Sequence, residues 1–583
     1  MSLIASLALC LPSPLLAQDV EPDRSALEAD FAARMSGSVL VGRFTDTTAP
    51  EGTPPAEERY TLGEVSKNED GRWRFEAQVE YGGRSFPLAL NLDVMWAGDT
   101  PVITMTDYRI PLMGSFTCRV MFYGDLYAGT WSGTAGGVTH GGHMFGRVER
   151  PARADDGAGD GDEAASAWPS FRGRDGSGVA GGHPTASTFD LQTGEGVLWK
   201  TAIDGLCHSS PVVWGDRIYL TTAVRKEGPG MLKVGLYGTT APVEDTSPHE
   251  YRVLALDRAS GEVIWDVLAW EGVPGCARHP KGSHASSTPV TNGEVVVCMF
   301  GSEGLHAFDL EGELLWSRDL GELIGGFFFN GDQWGYSSSP EIFEDRVLVQ
   351  CDVLGDSFVA AYDLEDGEEL WRTSRDDVPT WSTPTVHVED GRRQVILNGF
   401  KHMGGYDVDT GAELWRLSGA GDIPVPRPIV AHGLIYLTSA HGRLAPVYAI
   451  DPDATGELDR EHEAVVWHET RGGNYMQTPL VYGDELYHCN DAGILSCRDA
   501  KTGTLHYKER IGEGRSGYTA SIVAADEKIY VTSEEGVVSI IAAGKEFVRA
   551  GSGELGEEAM ATPAISRGTI YWRTRGHLVA IRP

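Results

Sequence analysis

The chain has 583 residues, too many for one compact core, so at least two domains are expected. Its 84 acidic against 48 basic side chains give a formal charge of −36, a surface that repels phosphate backbones and anionic lipid and argues against a nucleic-acid partner. Seventy-three glycines punctuate short Val, Ile, Tyr, Thr and Phe runs, and no long stretch shows apolar residues at helical spacing, so the chain reads as all-β.

Residues 1–17 form a short apolar run ending at the small Ala17, too short to span a bilayer, and read as a secretory signal peptide. No Lys or Arg precedes that run, and Cys10 follows Leu9 where a lipid-attachment site needs a small residue. No other segment reads as a transmembrane span, so a periplasmic or secreted location is expected.

Residues 32–150 carry alternating runs such as "GRWRFEAQVEYGG" and "FTCRVMFYGDLYAGTWSG", which predict a small antiparallel β-barrel or sandwich. "YAGTWSG" followed by "GHMFGRV" resembles the closing strands of calycin-type barrels, which implies a ligand holder or an accessory module. His140 and His143 have H-x-x-H spacing, but on a strand that spacing places them on opposite faces, against shared metal binding. Residues 151–167, with "DDGAGDGDEAASA", read as an acidic flexible linker.

From 168 to 583 two phrases alternate. One is A-x-D-x-x-[ST]-G-E-x-x-W, as in "ALDRASGEVIW" (255–265), "AYDLEDGEELW" (361–371) and "GYDVDTGAELW" (405–415). Its aspartate can accept hydrogen bonds from turn amides, its glycine can take a positive φ, and its terminal indole can plug the gap between neighbouring sheets. Trp199, Trp265, Trp316, Trp371, Trp415 and Trp467 are the expected docking indoles, and Asp257, Asp309, Asp363, Asp407, Asp451 and Asp499 the turn formers. The other phrase, [ST]-P followed by strand, turn and strand, recurs from "SPVVWGDRIYL" (210–220) to "TPAISRGTIYW" (562–572), with variants at Arg427 and Ser521. Together they predict four antiparallel strands per unit, the pattern of β-propeller blades, and eight copies are counted. The last unit stops at Pro583 before its outer strand, while "TFDLQTGEGVLW" (188–199) supplies one at the front, so both ends are expected to share a blade.

This repeat, with the lead-in "WPSFRGRDGSGV" (168–179), resembles the pyrroloquinoline-quinone-like, or quinoprotein-like, propeller family over about residues 168 to 583. Members of the alcohol-oxidising type hold their quinone between a tryptophan and a disulfide of adjacent cysteines, beside a calcium ion bound by carboxylate and amide side chains. No two cysteines are adjacent here and no calcium cluster stands out beyond the turn aspartates, so no cofactor is expected. The closer likeness is to the non-dehydrogenase type, similar to the outer-membrane protein assembly propeller, which binds partners through loops and funnel surfaces.

If the [ST]-P strand is innermost, residues just before it face the central funnel. These are His208, His284, Tyr336 with Trp334 nearby, Trp381, Arg427, Tyr475, Tyr518 and Met560, a set able to meet a protein partner or stack on a small ligand or glycan. The loop 274–289 gathers Cys276, Arg278, His279, Lys281 and His284 near Cys207 and His208, but C-x-x-H is no recognised ligand pairing and no metal is expected. Cys207 and Cys276 are the pair best placed for a disulfide, whereas Cys298, Cys351 and Cys489 read as small residues between packed sheets. The expected function is an exported, non-catalytic binding scaffold. The alternatives are a pyrroloquinoline-quinone- and calcium-dependent oxidoreductase, or a carbohydrate-binding or -processing protein using an aromatic funnel.

Overall fold

The structure, a computed structural model, describes residues 24–149 and 166–583, apart from 50–52, 54, 69–70, 82–83, 98–99, 111–113, 124–125, 136–137, 237–240, 390 and 513. The expected signal peptide, 1–17, and nearly all of the expected linker lie outside the described residues. The chain divides into two units, Met1–Asp156 and Gly157–Pro583.

In the first unit the alternating runs form consecutive antiparallel strands, from Val39–Phe44 to Val138–Glu149. The last strand pairs with the first, Val39 opposite Glu149 and Phe44 opposite Met144, which closes a barrel. A helix not expected from the sequence, Arg24–Met35, packs against the strand Ala56–Lys67. Its Phe31 enters the apolar cluster of the unit, meeting Trp73, Phe75, Trp96 and Phe122 edge-on with centroids 5.1–6.4 Å apart. His140 lies with Nδ1 3.0 Å from Asp46 Oδ2, while His143 is exposed.

The second unit is a β-propeller. Its radial antiparallel sheets start from the inner strands Val212–Trp214, Val290–Thr291, Glu341–Phe343, Thr385–Glu389, Ile429–Ala431, Leu480–Tyr482, Val523–Ala525 and Ala564–Ser566. Val212–Trp214 packs beside both Val290–Thr291 and Ala564–Ser566, so the ring returns on itself. At the return the front strand Val197–Ala202 completes the sheet of the C-terminal strand His577–Ile581, with Trp199 opposite Ala580.

The repeated turn has the geometry its residues dictate. Asp257 Oδ1 accepts from the amides of Ala259 and Ser260 at 3.1 and 2.7 Å, and Asp407 and Asp499 do the same in their own turns. Each indole then reaches the next sheet's turn. Trp199 Nε1 donates to Arg258 O, Trp265 to Leu310 O, Trp316 to Leu364 O, Trp371 to Val408 O and Trp467 to Ala500 O, at 2.8–3.0 Å. The turn glycine lies flat on the same ring. Gly411, at φ +71°, sits where a Cβ would fall 2.4 Å from Trp371, so both backbone and space demand glycine. Trp415 departs from this pattern, donating to Gln394 Oε1 at 2.9 Å, while Gln394 Nε2 donates to Pro452 O at 2.9 Å. Gln394 thus relays the bond to the turn that follows.

Cys207 and Cys276, the pair best placed for a bridge, are both free thiols. Cys207 is buried behind its inner strand with Sγ 3.1 Å from Ser209 Oγ, and Cys276 donates to Ala277 O in a separate loop. Among the described residues no helix is long and apolar enough to cross a membrane.

Candidate functional site

The [ST]-P hydroxyls lace neighbouring inner strands together. Ser210 N donates to Thr288 Oγ1, Thr288 N to Ser339 Oγ, Ser339 N to Thr383 Oγ1, Arg427 N to Thr478 Oγ1, Thr478 N to Ser521 Oγ and Ser521 N to Thr562 Oγ1, at 2.9–3.2 Å. These hydroxyls line the axis and are occupied as acceptors there, which makes them poor nucleophiles and good fasteners.

The lead-in 168–179 runs across one end of the axis. Trp168 bridges to Val213, Thr291 N donates to Pro169 O at 2.9 Å, and Arg172 donates to Pro479 O at 2.9 Å and to Ile522 O. Phe171 forms the floor of the remaining cavity, of about 600 Å³. Five of the sequence-derived candidates named above and Met560 line it: His208, Trp334, Tyr336, Trp381 and Tyr475.

Aromatic rings dominate one wall. Trp334 stacks on Phe327 at 5.2 Å with planes 5° apart and on Trp381 at 5.9 Å, and Tyr475 lies 5.8 Å from His441. Phe327 belongs to a short hairpin, Gly326–Phe327 with Asp332–Gln333, whose neighbour Phe329 is exposed. Tyr336 donates to Gln350 O at 2.6 Å, and burial raises its phenol well above the usual range. Burial also pushes Tyr475 up to about 12 and His208 down to about 4, so at neutral pH the phenol keeps its proton and the imidazole is uncharged. Nε2 of His208 is buried without a hydrogen-bond partner.

The opposite wall carries charge. Lys281 Nζ lies 2.7 and 2.9 Å from the carboxylate of Glu534, which also accepts from Gly235 N at 2.7 Å and Thr519 Oγ1 at 2.6 Å. Sequence reasoning missed Glu534, Asp491 and His441. All three lie just past the second strand of their sheets, a position that turns toward the axis as the [ST]-P approach does.

Three candidates do not line this cavity. Arg427 runs beneath it, donating to Thr385 Oγ1 and Phe171 O at 2.9 and 2.8 Å and pairing with Glu341 at 2.8 Å, because it replaces the phrase's hydroxyl residue itself. Tyr518 is buried against Gly493, and His284 turns to Asp245, Nε2 to Oδ2 3.1 Å. The carboxylates among the described lining residues are Asp491 and Glu534, and Glu534 is closed by Lys281. Tyr and Trp side chains abound, but there is no adjacent cysteine pair and no set of free carboxylates and amides, so these residues do not fit a quinone held over a calcium ion.

Among solved structures, BamB from Moraxella catarrhalis aligns at 15% identity, covering 62% of this chain and 99% of its own, with a TM-score of 0.40. A europium-containing methanol dehydrogenase aligns at 10% identity over 71% of this chain and 91% of its own, TM-score 0.50. A quinohemoprotein alcohol dehydrogenase from Comamonas testosteroni aligns at 12% identity over 72% and 81%, TM-score 0.49. At these identities the likeness concerns the fold alone. No curated protein matches the chain by sequence. The family model described as outer membrane protein assembly factor BamB matches residues 165–326 and 355–583, and with most of the propeller so matched the chain belongs to that pyrroloquinoline-quinone-like repeat family.

Proposed function

We propose that the chain is an extracytoplasmic, periplasmic or secreted, non-catalytic scaffold that receives protein segments at the funnel face of an eight-bladed ring. The sheets starting at Val212, Val290, Glu341, Thr385, Ile429, Leu480, Val523 and Ala564, with Val197–Ala202 shared across the return, support the blade count. The family description names outer membrane protein assembly, which supports a partner that is a protein and a location beyond the cytoplasm. On this reading residues 32–150 are an accessory barrel module and 168–583 the recognition module.

One observation carries the proposal. The cavity is walled by stacked rings, while many of its polar groups are already engaged (hydroxyls as acceptors of amides, Lys281 with Glu534, Tyr336 with Gln350), and His208, whose Nε2 has no partner, is uncharged. Rings with exposed edges and few uncommitted polar groups suit an apolar or aromatic side chain presented by a peptide better than they suit covalent chemistry.

The test follows tryptophan fluorescence while extended peptides rich in aromatic residues are titrated into the full chain. Saturable quenching in the wild type that Trp381→Ala weakens tenfold or more is the expected result. Retention of pyrroloquinoline quinone with calcium, with alcohol-dependent dye reduction, would establish the oxidoreductase reading instead. Binding confined to a glycan array would replace the peptide with a carbohydrate.

A further inference from the structure

A second concavity, of about 270 Å³, lies apart from the funnel cavity and is bordered by Gly205, Leu206, Gly228, Gly230, His249 and His284. Asp245 precedes the strand His249–Asp257, which His249 opens, and His284 arrives from the loop that leads to the next inner strand. One ligand-type atom from each of Asp245, His249 and His284 lies within 4.8 Å of the other two. The geometry points to a site for one transition-metal dication of the zinc, cobalt, nickel or copper class, held by Asp245, His249 and His284 with an open coordination position toward this cavity.

The imidazole of His249 is already set for this role. Its Nδ1 lies 2.8 Å from Ser247 O, and a carbonyl can only accept, so Nδ1 carries the hydrogen and Nε2 keeps its lone pair. Metal-ligating histidines are oriented by this kind of outer bond. The second pair is already close to ligand spacing, and the hydrogen that His284 Nε2 donates to the Asp245 carboxylate is released as the ion takes its place. His284 Nε2 and Asp245 Oδ2 stand 3.1 Å apart, and two ligands each about 2.1 Å from one ion are separated by roughly 3.0–3.4 Å at cis or tetrahedral angles. Arg278 fixes the carboxylate, donating from Nε to Asp245 Oδ2 at 2.8 Å and from its other nitrogens to Gly282 O and Met231 O at 2.9 Å.

The same surroundings choose the ion. Arg278 and Arg225, whose Nε is 3.7 Å from Asp245 Oδ1, put two positive charges beside the single carboxylate. A hard cation that depends on carboxylate oxygens would lose that competition. An ion that draws its affinity from two neutral imidazoles can win it, so magnesium and calcium are excluded and zinc-class ions favoured. With three protein ligands, a water or an incoming donor completes the shell. Cys276 and His279, grouped with His284 in sequence, are not members of the set.

The experiment uses the full, tag-free chain stripped with chelator, with cobalt(II) as the optical probe and zinc(II) followed by calorimetry. One cobalt per chain with visible ligand-field bands, displaced by zinc and not by calcium or magnesium, is expected. Because losing even an outer partner of a ligand typically costs about 10–100-fold, His249→Ala and His284→Ala should each weaken binding by at least that much, whereas His432→Ala, at an exposed turn, should not. X-ray absorption of the zinc-loaded wild type should show two imidazoles with oxygen and no sulfur, a readout independent of whether the variants fold. Absence of stoichiometric cobalt and zinc uptake, a sulfur-containing shell, or uptake unchanged in both histidine variants would each overturn the assignment.

Discussion

Lys281 Nζ and the carboxylate of Glu534 meet at 2.7 and 2.9 Å across the funnel, although 253 residues separate them in the chain. The Glu534 side chain is 0% exposed, so this ion pair ties the loop before one inner strand to a distant sheet inside a region of low dielectric. Removing one partner of such a pair strands a buried charge, which costs about 3–5 kcal/mol. Lys281→Met should therefore lower propeller stability by about that amount in urea unfolding. The double variant Lys281→Met with Glu534→Gln should recover much of it. Equal loss in single and double variants would mean that the charge itself is not what matters.

Gln394 offers a second, sharper test of how sheets are joined. Its side chain accepts from Trp415 Nε1 and donates to Pro452 O, standing where the other docking indoles bond the next turn directly. Gln394→Ala leaves a buried indole N–H and a carbonyl unpaired, so a cost of about 1–3 kcal/mol is expected. In a Trp415→Phe background, which has already lost the indole N–H, Gln394→Ala should cost less. A double-mutant cycle with no coupling would dismiss the relay.

This relay also shows where sequence reading stops. The turn aspartates, the docking indoles other than Trp415 and the glycine beneath each of those rings were legible because each repeats with one physical role, and the shared strand followed from an incomplete last unit. A residue such as Gln394 appears once, on a different strand from the indole it serves, so no periodicity marks it. The same limit governed the funnel. The rule that residues before [ST]-P face the axis brought His208, Tyr336, Trp381 and Tyr475 to the cavity, but it took no account of the second-strand exits that deliver Asp491 and Glu534. Arg427 was misread because a long cation in a buried hydroxyl's place must travel to an anion, and Glu341 lies beneath the floor.

Gly411 carries two demands that substitution can separate. Its φ of +71° disfavours any side chain, and Trp371 occupies the space a Cβ would need at 2.4 Å. Gly433, in a hairpin turn at φ +68°, has nothing within 4 Å of its Cβ position and so carries only the first demand. Gly433→Ala should cost about 1–2 kcal/mol, and Gly411→Ala should add the price of displacing a docked indole, typically about 1–3 kcal/mol more. Thermal unfolding of the two variants side by side measures the difference. Similar losses would show that the ring yields without cost.

Glu557 pins the return of the ring and gives it a pH signature. Its carboxylate lies 3.0 Å from Lys200 Nζ on the shared front strand and 2.6 Å from His577 Nδ1, and accepts from Thr574 Oγ1 and Gly576 N at 2.8 and 3.0 Å. Burial alone would raise its pKa, but the bonds from His577, Lys200, Thr574 and Gly576 outweigh it and hold the group at about 2, below the ordinary 4.5. A folded pKa below the unfolded one means that the deprotonated form favours the native state. This contribution is complete above about pH 4.5 and is lost as pH falls toward 2. Uncharged His208 and His402, both held near 4 chiefly by burial, add their own loss of stability below pH 6.5, and that background is common to wild type and variant. Glu557→Gln should thus leave the slope above pH 4.5 unchanged and flatten it between 4.5 and 2, read as urea midpoints at closely spaced pH values. If the variant keeps the wild-type slope in that window, Glu557 does not fasten the front strand to the C-terminal sheet.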